Sequence, residues 1–205
     1  MGIILSIKSL FVIILPIWIL VRVVSIHKNP SKGQFLVKRE IVFNIFSLYI
    51  FCFIGITLFP LFISFTGEKG YVGINIVPVF NTIKDVANVM SDSQIQKFML
   101  KFWIKNILGN MLLLLPFGLL LPMLWEKFEN IRNTLLISFI FSFSIEILQL
   151  LSYYIGNRGR SFDIDDIILN TFGAWMGYMF YKKILLKMNN KQFLNGIHRN
   201  VDYSK

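Results

Sequence analysis

The sequence has little with which to build soluble-enzyme chemistry. Among 205 residues there is one cysteine, Cys52, so no intrachain disulfide is available. Cys52 also lies in an apolar run, which argues against thiol catalysis. The two histidines, His27 and His198, are too far apart for zinc-ligand spacing. There is no nucleotide-binding loop, no Ser-His-Asp arrangement and no cofactor motif, and neither a metal nor a cofactor is expected. Charged residues make up only 16% of the chain. No internal repeat or low-complexity block is present, and no stretch between apolar runs is long enough for a separate soluble domain.

What is abundant is apolar surface. Hydrophobic residues are 55% of the chain, 21 of them Phe, which is more than a soluble domain of this size can bury. The excess belongs in lipid. A hydrocarbon core of about 30 Å takes about 20 mostly apolar helical residues. Runs of that length occur at approximately residues 3–26, 41–64, 103–125, 131–155 and 164–186. The expected architecture is an all-α membrane protein, a bundle of about five transmembrane helices, with residues 1–187 forming one membrane domain and 188–205 a polar cytoplasmic tail. The first run is long, lacks a basic leader and is followed by basic residues, which suits a retained anchor better than a cleaved signal. The connection Phe65–Phe102 is long for a bare loop. Its apolar residues Ile83, Val86, Ala87 and Met90, then Ile95, Phe98, Met99 and Phe102, recur at helical spacing and predict short interfacial helices in that outer loop.

The net charge of +10 reads as topology, not as a nucleic-acid surface, because the basic residues gather at the ends of the apolar runs. Lys28, Lys32, Lys38 and Arg39 lie between the first two runs, Lys127 and Arg132 follow the third, and Lys182, Lys183, Lys187, Lys191, Arg199 and Lys205 end the chain. Positive residues mark the cytoplasmic side. The amino terminus is then outside, the carboxyl terminus cytoplasmic, and the loops Phe65–Phe102 and Gly156–Asp163 outward.

Against this apolar background the polar residues stand out. In the fourth run Ser138, Ser142, Glu146, Gln149 and Tyr153 step by three or four residues and share one helical stripe. A carboxylate near mid-span costs about 2.5–3.5 kcal/mol on insertion scales, so Glu146 should face the bundle interior with a partner or be protonated. A purely structural role, bonding one helix to another, is the competing explanation. In the fifth run Asp163, Asp166, Asn170, Gly173 and Gly177 share a face. Asp163 and Asp166 also suit a helix N-cap and its third position, which is a sufficient structural reason for one or two carboxylates. Asn170, a turn deeper, is less easily explained in that way. Gly173 and Gly177, four residues apart, allow close helix approach. Arg158 and Arg160 lie at headgroup depth, where guanidinium groups bind phosphate or simply anchor the interface. Asn106 and Asn110 are a turn apart near the outer end of the third run. Residues from three runs thus converge on the outer half of the bilayer.

These residues also carry a resemblance. Asn75-Ile-Val-Pro-Val-Phe80, Asn106-Ile-Leu-Gly-Asn-Met-Leu-Leu-Leu-Leu-Pro-Phe-Gly118 with Leu121-Pro122, Ser144-Ile-Glu-Ile-Leu-Gln149, and Gly159-Arg-Ser-Phe-Asp-Ile-Asp-Asp-Ile-Ile-Leu-Asn-Thr-Phe-Gly173 with Gly177-Tyr178 resemble, in order, the motifs of the VanZ-like membrane proteins. The first two apolar runs and the tail carry no such resemblance. Where the family has an arginine before the last span, Arg160 matches better than Arg158. The resemblance implies a bacterial plasma-membrane protein linked with low-level resistance to teicoplanin and related lipid-bearing glycopeptides. It brings no catalytic mechanism. The candidate ligand-binding residues are Asn75, Asn106, Asn110, Glu146, Gln149, Arg160, Asp163, Asp166 and Asn170, and the partner expected is a membrane lipid or lipid-linked cell-wall precursor. Two other readings stay open. One is an enzyme modifying an envelope lipid, with Glu146 as general base and Asp163 or Asp166 assisting; the other is a small transporter.

Overall fold

The computed structural model describes residues 2–28, 35–64, 74–77, 93–154 and 161–188. Helices α1 (Ile7–Lys28), α2 (Phe35–Leu58), α3 (Ser93–Leu124), α4 (Ile131–Tyr154) and α5 (Ile164–Met188) carry nearly all of these residues. The protein is an all-α membrane protein. Within α2, α3 and α4 the segments Arg39–Leu58, Ile104–Leu124 and Ile131–Tyr154 are long and apolar enough to cross a bilayer. Four short strands are also present among the described residues. β1 (Gly2–Leu5) pairs antiparallel with β2 (Leu61–Ser64), and β3 (Ile74–Asn75) pairs parallel with β4 (Phe162–Asp163).

The helix boundaries differ from the apolar runs in three places. The second run was expected to stay helical to residue 64, but α2 ends at Leu58 and residues 61–64 form β2. Pro60 is the cause: it disfavours helical backbone at Phe59 and offers no amide proton to continue the ladder. The first run begins in β1, with α1 starting at Ile7. The helical periodicity of Ile95–Phe102 does not make a separate interfacial helix, because it is continuous with α3, which starts at Ser93. Residues 78–92, with the other proposed interfacial segment, and the tail from residue 189 lie outside the described residues.

Helix α3 makes its most intimate packing with α5. A Cβ on Gly118 would overlap the Ala174 carbonyl, one on Gly173 the Met111 carbonyl, and one on Gly177 the Leu115 carbonyl. The two helices therefore touch backbone to backbone, the arrangement that small residues four apart permit in lipid, where close dispersion contact takes over from the hydrophobic effect. On the opposite side of α3, α2 and α4 supply an aromatic core. Phe117 stacks on Phe141 with ring centroids 5.0 Å apart, and Phe53 packs on Phe141 at 5.0 Å. Tyr49 donates its hydroxyl to the Leu113 carbonyl at 2.8 Å, just where Pro116 interrupts the α3 ladder. Helix α1 lies to the side of α2. Its Arg22 forms an ion pair with Glu40 and sits 5.0 Å from the Phe43 ring centroid.

Candidate functional site

Helix α4 is built inside out. Its buried face is Thr134, Ser138, Ser142, Ile145, Glu146, Gln149 and Ser152, whereas Leu136, Phe139, Ile140, Phe143, Leu148 and Leu151 point away from the bundle. The polar stripe seen in the sequence is thus the packing face, as intramembrane polar groups require. Ser138 and Ser152 satisfy their own hydroxyls on the Thr134 and Gln149 carbonyls at 2.7 Å each. Glu146, Gln149 and Ser142 reach to other elements.

Asp163 is the N-cap of α5, its Oδ1 accepting the Asp165 amide at 2.9 Å. In a capping box the residue at the third helical position, here Asp166, would return a bond to the N-cap amide. Instead Glu146 Oε2 takes the Asp163 amide at 3.0 Å. Asp166 turns to Asn110, whose side-chain amide donates to its Oδ1. Asn75 ties β3 to this corner, donating from Nδ2 to Asp163 Oδ1 at 3.0 Å beside the parallel strand pair. Burial raises the Asp163 carboxyl above its ordinary range; the Asp165 amide and Asn75 oppose that shift and the Asp165 charge adds to it.

Deeper in the membrane, Gln149 Nε2 donates to the Thr57 carbonyl of α2 at 3.0 Å, and Asn170 Nδ2 donates to Ser142 Oγ at 3.0 Å. Glu146 and Asn170 are each only 2% exposed. Between these groups lies a cavity of about 390 Å³, within the usual size of ligand pockets. It is walled by Thr57 of α2, Asn106 and Asn110 of α3, Glu146 and Gln149 of α4, and Asp166 and Asn170 of α5. Lys105, Gly109 and Ile56 border it and are exposed, so its mouth is formed by α2 and α3 beside apolar residues such as Ile104 and Leu108.

Of the residues singled out from the sequence, Asn106, Asn110, Glu146, Gln149, Asp166 and Asn170 line this one cavity. Asn75 and Asp163 lie behind it, as supports of the α5 start. Arg158 and Arg160 fall outside the described residues. Sequence reasoning placed no site residue on α2, and it missed Thr57, Lys105 and Ser161, which also line the cavity. Thr57 could have been noticed as a hydroxyl in an apolar helix, but its bond to Gln149 comes from its carbonyl, which no side chain advertises. Among the described residues no cluster of His, Cys, Asp and Glu has the arrangement of a metal site.

No curated protein and no solved structure matches the chain. The sequence model of one family does, over residues 46–187, and that range enters α2, further toward the amino terminus than the motifs alone reach. It contains every described wall of the cavity, with the inside-out α4, the capped start of α5 and the glycine contact between α3 and α5. The chain belongs to the VanZ/LLP1 family of membrane proteins.

Proposed function

We propose that this protein is a non-enzymatic binder of the polar headgroup of an outer-leaflet lipid or lipid-linked cell-wall precursor in a bacterial plasma membrane, and that it contributes in this way to low-level resistance to teicoplanin and related lipid-bearing glycopeptides. The observation that carries the reading is the polar cavity, set at one end of an apolar bundle and bordered by exposed apolar residues of α2 and α3. A molecule with an apolar tail and a polar head matches both surfaces at once. The positive-inside distribution of Lys and Arg supports an outward orientation of that end, toward the leaflet where wall precursors and lipoglycopeptides meet. Occupying or shielding such a precursor reduces access of the drug. Glu146 fits positioning better than base catalysis, because its carboxylate already holds the Asp163 amide.

The test is the teicoplanin inhibitory concentration of a susceptible Gram-positive host expressing the wild type, Glu146→Gln or Asp166→Asn at equal membrane levels. The reading expects protection by the wild type and a several-fold loss of it in both variants, with unchanged lipid mass spectra in expressing cells. A chemically altered lipid in those spectra would turn the assignment to an enzyme. Equal protection by all three proteins would make the carboxylates structural.

A further inference from the structure

The hydrogen-bond donors around the cavity are largely committed to the protein itself. The side-chain amide of Asn110 is given to Asp166, that of Gln149 to the Thr57 carbonyl, that of Asn170 to Ser142, and the Asp163 main-chain amide to Glu146. Among the buried lining groups these bonds leave acceptors facing the cavity, while the donors of Lys105, Asn106 and Ser161 lie at its exposed mouth. Asn170 makes the point most directly, because it is 2% exposed and its Oδ1 has no hydrogen-bond partner among the described residues. A buried amide oxygen in that state calls for a partner that the described residues do not supply, a role a ligand donor can fill. The Asp166 carboxylate adds a further acceptor to the same wall, and Asp163 and Asp165 precede it in sequence. Lys105 is the single basic residue among the described wall residues, and it is exposed at the mouth.

A wall of this kind favours a group that combines several N–H donors with positive charge. We propose that the cavity selects a primary ammonium, presented by a lipid headgroup whose phosphate stays at the mouth near Lys105. This rests on the reading of the cavity as a headgroup site and names the headgroup's chemistry. The ammonium donates to Asp166 and to Asn170 Oδ1, and its charge favours the ionised form of the Asp166 carboxyl, so that the bond is charge-assisted. An anionic headgroup without an amine meets the same carboxylate unfavourably.

The experiment uses the purified full chain in mild detergent and native mass spectrometry, with phosphatidylethanolamine, phosphatidylglycerol and N-acetyl phosphatidylethanolamine of identical acyl chains. Phosphatidylethanolamine should be retained at roughly tenfold lower concentration than the other two. Asp166→Asn and Asn170→Leu should abolish that preference, while Ser144→Ala, on the exposed side of α4, should keep it. The comparison of lipids on the unaltered protein needs no substitution, so misfolding cannot imitate the result. Equal binding of all three lipids, weakened together by Asp166→Asn and Asn170→Leu, overturns the ammonium and leaves the headgroup site standing. Binding indifferent to both substitutions overturns both. Displacement by water-soluble glycerophosphoethanolamine at the same concentration as the lipid overturns the lipid source, and failure of that compound to compete supports it.

Discussion

Glu146 holds a structural and a chemical position at once, and substitution separates them. Its Oε2 is the acceptor for the Asp163 amide at the start of α5. Glu146→Gln keeps an acceptor oxygen in place, so the fold should survive with little change in thermal stability. Glu146→Leu leaves the Asp163 amide unpaired and should destabilise by about 1–3 kcal/mol, read as a lowered melting temperature of the purified protein in detergent. Equal melting of the two variants would show that the bond contributes nothing. The sequence marked Glu146 because a carboxylate in an apolar run is costly, and marked Asn170 because capping does not reach that deep. It could not reveal their partners. One partner of Glu146 is a main-chain amide and that of Gln149 a main-chain carbonyl, groups that every non-proline residue carries and that leave no trace in the pattern of residue types.

At the scale of elements, periodicity was the reliable guide and boundaries were not. The stripe Ser138, Ser142, Glu146, Gln149 became the buried face of α4 because a 3.6-residue repeat leaves no other face available to it. The end of α2 depended on Pro60, and the start of α3 ten residues ahead of its apolar run depended on turns that are helical without being apolar enough to read as membrane-spanning. The contact between α3 and α5 was half legible. Gly173 and Gly177 advertised it, but their counterpart surface, the backbone of Met111 and Leu115 with Gly118, did not. It yields a graded prediction. Gly118→Ala, Gly173→Ala and Gly177→Ala each drive a methyl into a main-chain carbonyl and should cost about 1–3 kcal/mol or prevent folding. Gly109→Ala meets nothing within 4 Å and, by helix propensity, should be neutral or stabilising by up to about 1 kcal/mol. Thermal denaturation of the four variants in one detergent decides it, and similar losses at Gly109 and Gly118 would contradict the close contact.

The described residues show an apolar exterior and a polar interior near one end, the reverse of a soluble protein; composition foretold the exterior, and the helical spacing of the polar residues foretold the interior. Its orientation can be read by labelling. In a Cys52→Ser background, Ser161→Cys should react with a membrane-impermeant maleimide on intact cells, whereas Lys127→Cys, in the turn between α3 and α4, should react only after permeabilisation. The opposite pattern would place the cavity on the cytoplasmic side and remove the outer-leaflet reading. The ion pair between Arg22 and Glu40 belongs to this scale too, because it fastens α1 to α2 from within an otherwise apolar run. Arg22 does not stand out in the sequence, since one basic residue inside a hydrophobic stretch is easily assigned to its end.

The glycine contact has a mechanical corollary. Where two helices touch main chain to main chain, no layer of side chains lies between them to change rotamer and absorb sliding, so α3 and α5 should move as one strut. Asn106, Asn110, Asp166 and Asn170 all stand on that strut, with fixed spacing among them. Any adjustment of the cavity to a larger occupant must then come from the opposite wall, α2 and α4, whose aromatic side chains can tilt and repack against α3.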